Sequence, residues 1–83
     1  MDTLEKVRAI LRDTLQLGSR ADALRRDSRL LGEIPEFDSM AVVSVLTMVE
    51  EEFDIAVEDD EVSADVFETL GTLTDFIAAK AER

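Results

Sequence analysis

Residues 39–53, SMAVVSVLTMVEEEF, contain neither Gly nor Pro, and their apolar side chains recur with a helical period. At 100° per residue, Val42, Val45, Leu46, Val49 and Phe53 fall on one arc, which reads as the core face. Met40, Ser44, Thr47 and Glu51 form the opposite, exposed stripe, with Val43 on its border. Asp38 stands where an N-cap belongs. The β-branched residues in this run lower its intrinsic helicity, so the helix holds only if something packs on it. The rest of an 83-residue chain has to supply that packing.

Two further segments do so. From Asp2 to about Leu17, the residues Leu4, Val7, Leu11 and Leu15 share one helical stripe, with Ile10 beside it. Asp2 and Glu5 have the spacing of a capping box, and Leu17-Gly18 reads as a stop. A last helix is predicted from near Thr69, with Leu70, Leu73, Phe76, Ile77 and Ala81 at helical spacing. Lys80 and Arg83 suit its negative C-terminal end.

The connections are less periodic. Residues 18–38 read as a long ordered loop, with a short helical turn expected near Asp22–Arg26. Leu30, Leu31, Ile34 and Phe37 are too apolar for a free linker. Residues 54–62 read as an extended acidic connection with Ile55 and Val57 pointing inward, followed by a one-to-two-turn helix from Ser63 to about Glu68 that offers Val66 and Phe67. The expectation is an all-α fold, a small bundle of three main helices plus a short one, in a single domain over 1–83.

Composition narrows the chemistry. With no Cys the chain has no disulfide framework, thiolate metal site or thiol nucleophile. Its net charge is −11, and every charged residue from 30 to 79 is acidic. Such a surface repels nucleic acid and anionic lipid and favours partners with basic patches. No apolar run approaches the roughly 20 residues that span a bilayer, and MDTLEKV reads as an acidic helix start rather than a signal peptide. The cytoplasm is the expected location.

No catalytic or metal site is expected. With no His, general-base work would fall to a carboxylate. Asp38 next to Ser39 is a poor base, because an N-cap carboxylate already accepts backbone N–H bonds. Glu58–Glu61, EDDE, lacks the alternation and central Gly of a calcium-binding loop and reads as a solvated charge run. Ser39, at a helix start, is better placed to be modified than to attack, since that end favours an attached phosphate. From the residues alone, a serine with plain helix-start duty is the simpler reading.

Residues 35–77, PEFDSMAVVSVLTMVEEEFDIAVEDDEVSADVFETLGTLTDFI, resemble the acyl carrier proteins over nearly the whole family length. Three blocks carry the resemblance in order: Asp38-Ser39-Met40, VEEEFDI at 49–55 and FETLGTLTDFI at 67–77. The resemblance implies that a transferase esterifies Ser39 with 4′-phosphopantetheine from coenzyme A, with Asp38 and Met40 completing the attachment motif. It also implies that the reactive thiol belongs to that arm and that in many members the acyl chain tucks between the helices.

Partner enzymes with basic and apolar docking patches are then expected along Met40, Val43, Ser44, Thr47, Glu50, Glu51 and Asp54, on a monomer with no nucleic-acid or membrane-inserting role. The chain departs from the family pattern at Phe37, where a small residue is common, and at Ala41 and Ser44, where fatty-acid-synthesis members carry acids. Those departures point to a dedicated lipid, polysaccharide or secondary-metabolite pathway. An aminoacyl or peptidyl carrier, and an unmodified acidic helical adaptor, are the alternatives.

Overall fold

Helix α1 (Thr3–Leu15) packs against both α2 (Ser39–Phe53) and α3 (Leu70–Ala81), so the first helix is the shared wall of the bundle. These elements come from a computed structural model that describes residues 3–30, 32, 34, 37–58 and 61–81. Val7 and Leu11 of α1, Val45 and Val49 of α2, and Leu70, Leu73 and Ile77 of α3 are fully buried. The connections add Leu30, Ile34, Phe37 and Phe67 to the same cluster. The described fold is all-α, with the three expected main helices. Asp2, Leu31, Arg83 and the middle of the acidic run, Asp59 and Asp60, lie outside the described residues.

Among the described residues, the expected short helix before α3 is present as a 3₁₀ helix, and a further 3₁₀ helix lies in the long connection after α1. Ala64–Phe67 lies inside the expected Ser63–Glu68 span. The turn expected at Asp22–Arg26 instead lies earlier, as a 3₁₀ helix over Gly18–Ala23. The reason lies in how α1 ends. Gln16, not Gly18, takes the first left-handed position (φ 55°), and the Leu17 N–H donates to the Arg12 carbonyl at 3.0 Å. This six-to-one closure turns the chain back at once and buries Leu17. The same device ends α2: Asp54 is left-handed, and the Ile55 N–H donates to the Glu50 carbonyl. In both cases a buried or half-buried apolar residue follows the left-handed one, and that burial offsets the roughly 1–2 kcal/mol that the conformation costs a non-Gly residue.

The core face of α2 is narrower than its periodicity suggests. Val42, Leu46 and Phe53 are half-buried, packed at the margin of the core rather than within it. Val42 borders a surface cavity, and Phe53 carries the Lys6 ammonium over its ring at 5.6 Å. In α3, Phe76 is likewise half-buried and Ala81 is exposed.

The start of α3 is capped from two sources. Thr69 and Thr72 bond reciprocally: the Thr72 N–H donates to Thr69 Oγ1 at 3.1 Å, and the Thr69 N–H donates to Thr72 Oγ1 at 3.0 Å. The two N–H groups between them reach across the fold, Leu70 to the Ser28 carbonyl at 2.9 Å and Gly71 to the Arg26 carbonyl at 2.8 Å. The long loop therefore satisfies groups that a helix end otherwise leaves open. Leu30 returns a bond to the Glu68 carbonyl, and Arg26 reaches both Asp75 carboxylate oxygens at 2.8 Å.

Gly71 is required by this closeness, because a Cβ there would stand 2.8 Å from the Arg26 carbonyl oxygen. Helix propensity alone predicts that Gly71→Ala stabilises α3 by about 1 kcal/mol. The contact reverses the sign: with overpacking at roughly 1–3 kcal/mol, the variant is expected to melt several degrees lower. A thermal scan of the two proteins checks it, and a higher melting temperature for the variant would remove the clamp from this account.

Candidate functional site

Asp38 is the N-cap of α2, with its carboxylate accepting the Ala41 N–H at 2.9 Å and its carbonyl accepting the Val42 N–H at 3.0 Å. Ser39 is therefore the first helical residue, and it is exposed. A chain of contacts fixes this corner. Phe37 is buried, its N–H donates to the Ile34 carbonyl at 3.0 Å, and Ile34 in turn donates to the Leu30 carbonyl. The Phe37 ring meets Phe67 edge to face, with centroids 5.6 Å apart and planes at 77°. The serine thus lies two residues beyond a side chain, Phe37, that is anchored in the core.

A cavity of about 380 Å³ opens beside it, lined by Ser39, Val42, Val62, Ser63, Ala64 and Phe67. It lies between the start of α2 and the 3₁₀ helix at 64–67, with an apolar wall except for the two serines. Its volume is near the lower end of small-molecule sites. The structure thus pairs an exposed hydroxyl with an apolar recess at one helix end.

The outer face of α2 holds the other residues singled out from the sequence. Met40 is 75% exposed and Val43 61%, both large apolar side chains. Ser44, Thr47, Glu51 and Asp54 are exposed with them, and Thr47 bonds its own helix through the Val43 carbonyl. Glu50 stands apart. It is half-buried, and its Oε2 accepts the Val57 N–H at 2.8 Å, tying the acidic connection back to α2.

One residue on this face escaped the sequence reading. Met48 is 41% exposed and, with Val43, Ser44 and Thr47, lines a groove of about 440 Å³ against Asp13 and Thr14 of α1. Its position one helical turn after Ser44 was the available signal. Among the described residues no cluster of His, Cys, Asp and Glu is arranged to hold a metal ion, and no helix is long and apolar enough to cross a membrane.

The chain is 33% identical over 78 residues to a curated acyl carrier protein from Clostridium acetobutylicum, covering 94% of this chain and 95% of that one. The solution NMR structure of a holo acyl carrier protein from Nitrosomonas europaea superposes with a TM-score of 0.92, at 55% identity, over the whole of both chains. No family model matches the chain.

Proposed function

Because the chain belongs to the acyl carrier protein family, carriers rather than enzymes, we propose that Ser39 is the hydroxyl that takes the 4′-phosphopantetheine arm. The exposure of Ser39 at the first position of a firmly capped α2, beside an apolar recess, carries this reading. The arm supplies the thiol on which acyl groups travel as thioesters, which accounts for a chain with no Cys. The protein's own residues do the rest. Asp38 holds the first turn in place, the positive end of α2 faces the attached phosphate, and the recess offers the cargo an apolar surface. Incubation with coenzyme A and a broad-specificity phosphopantetheinyl transferase tests it: intact mass should rise by one arm, mapped to the peptide containing Ser39. An unmodified chain with several transferases would favour an acidic helical adaptor instead.

Partner enzymes are read as docking on the exposed face of α2. The half-buried Ala41 and exposed Ser44 leave the serine end of that face without acids, while Glu51 and Asp54 keep the far end negative. Apolar contact at Met40 and Val43 then outweighs charge near the arm, in keeping with a dedicated partner set outside housekeeping fatty acid synthesis. Burying a Met contributes about 1.5–3 kcal/mol, against under about 1 kcal/mol for an exposed, salt-screened charge pair. Met40→Ala is therefore expected to lower kcat/KM for loading by the cognate enzyme about tenfold or more, and Glu51→Ala by less than about fivefold. A larger loss with Glu51→Ala would hand docking to electrostatics.

A further inference from the structure

The chain has three Met and no Cys, His, Trp or Tyr, so its thioethers are the side chains most open to a mild oxidant. Among the described residues both methionines stand on α2, Met40 at 75% exposure and Met48 at 41%. The buried cluster holds neither, being built of Val, Leu, Ile, Ala and Phe. Met48 is partly covered by α1, where it lines the groove with Asp13 and Thr14 and borders Ile10. Met40 is the second residue of α2, directly after Ser39. Helical side chains lean back over the turn before them, and at the second position no helical turn precedes to cover the thioether.

We infer that Met40 is a reversible oxidation site, and that its sulfoxide form suppresses arm transfer to the neighbouring Ser39. Hydrogen peroxide gives one oxygen atom to the Met40 sulfur. An S–O bond forms and the O–O bond breaks, the sulfur is oxidised by two electrons, and the other oxygen leaves as water. The product is a polar group on the same flexible stem. In the free protein it stays in water, so the fold is untouched. Under a docked partner it has to be dried without a hydrogen-bond donor supplied for it, and the apolar contact becomes a penalty. This inference rests on the carrier reading of Ser39 and on the apolar docking contact at Met40, and adds to them a means of turning loading down.

The whole chain, without its arm, is treated with hydrogen peroxide, and catalase removes the excess before coenzyme A and a broad-specificity transferase are added. Peptide mass mapping, which separates Met1, Met40 and Met48, is expected to show one oxygen atom on Met40 before Met48. Loading of the treated wild type is expected to fall about tenfold or more in kcat/KM, the loss of one buried Met contact. A pair of methionine sulfoxide reductases, one for each epimer, should restore it. Met48→Leu is expected to keep the full response to peroxide. In Met40→Leu, treated and untreated forms should load within about twofold of each other, whatever rate the variant starts from.

Oxygen arriving first on Met48, a treated wild type that loads at its untreated rate, a loss the reductases do not restore, or an undiminished response in Met40→Leu would overturn the inference. So would a melting temperature lowered by more than about 4 °C in the treated wild type, since unfolding would then account for the lost loading. If the untreated wild type takes no arm, the carrier reading falls and this inference with it. An untreated chain that loads while the treated one loads equally well removes only the inference.

Discussion

Ser39→Ala is expected to abolish uptake of phosphopantetheine while leaving the fold as it was. The hydroxyl is the only group the substitution removes, and Ser39 is exposed. The cap of α2 belongs to Asp38, whose bond to the Ala41 N–H does not involve the Ser39 side chain. Ala is also a better helix former than Ser at such a position. Far-UV circular dichroism and melting temperature should therefore match the wild type within about 0.5 kcal/mol. Intact mass after transferase treatment should show no added arm. Other exposed hydroxyls, Ser44 five residues along α2 and Ser63 across the recess, make the result informative. An arm retained in Ser39→Ala would move the attachment to one of them.

Leu11→Ala carries the largest expected loss of stability. Leu11 is fully buried on α1, the helix that contacts both of the others. Truncation of a buried Leu to Ala costs about 2–5 kcal/mol. A domain of this length has roughly 4–12 kcal/mol in all. At about 4–8 °C per kcal/mol, the melting temperature should fall by roughly 8 °C or more, and at the upper end of the cost the variant populates the unfolded state at room temperature. The prediction is made for the protein without its arm, since every residue of the core cluster belongs to the chain itself. Met40→Ala, at a side chain 75% exposed, is the control, expected within about 0.5 kcal/mol of wild type in stability. An unmodified wild type that shows no cooperative helical melt would overturn this view of the core.

The attachment corner was legible because its signals are local. Asp38 as N-cap and the Ser39–Phe53 helix follow from side-chain chemistry within one turn and from a period read over four turns, and both stand as expected. The margin of the α2 core was less legible. Periodicity assigns Val42, Leu46 and Phe53 to the same arc as Val45 and Val49, but burial depends on how far neighbouring elements reach around the helix. Glu50 shows the same limit: its charge groups it with Glu51 and Asp54 as a docking acid, whereas the acidic connection folds back so that its carboxylate accepts the Val57 N–H.

By itself the sequence determined three amphipathic helices, an acidic surface and a serine at a capped helix start, because propensity, period and capping act between residues a few positions apart. Only the tertiary structure decided what those pieces meet. The Arg26 carbonyl against Gly71, the Ser28 carbonyl capping Leu70, the Phe37 ring on Phe67 and the recess beside Ser39 all join segments distant in the chain. Such contacts are set by the path of a long loop with no period of its own, so no pattern within a window of sequence encodes them.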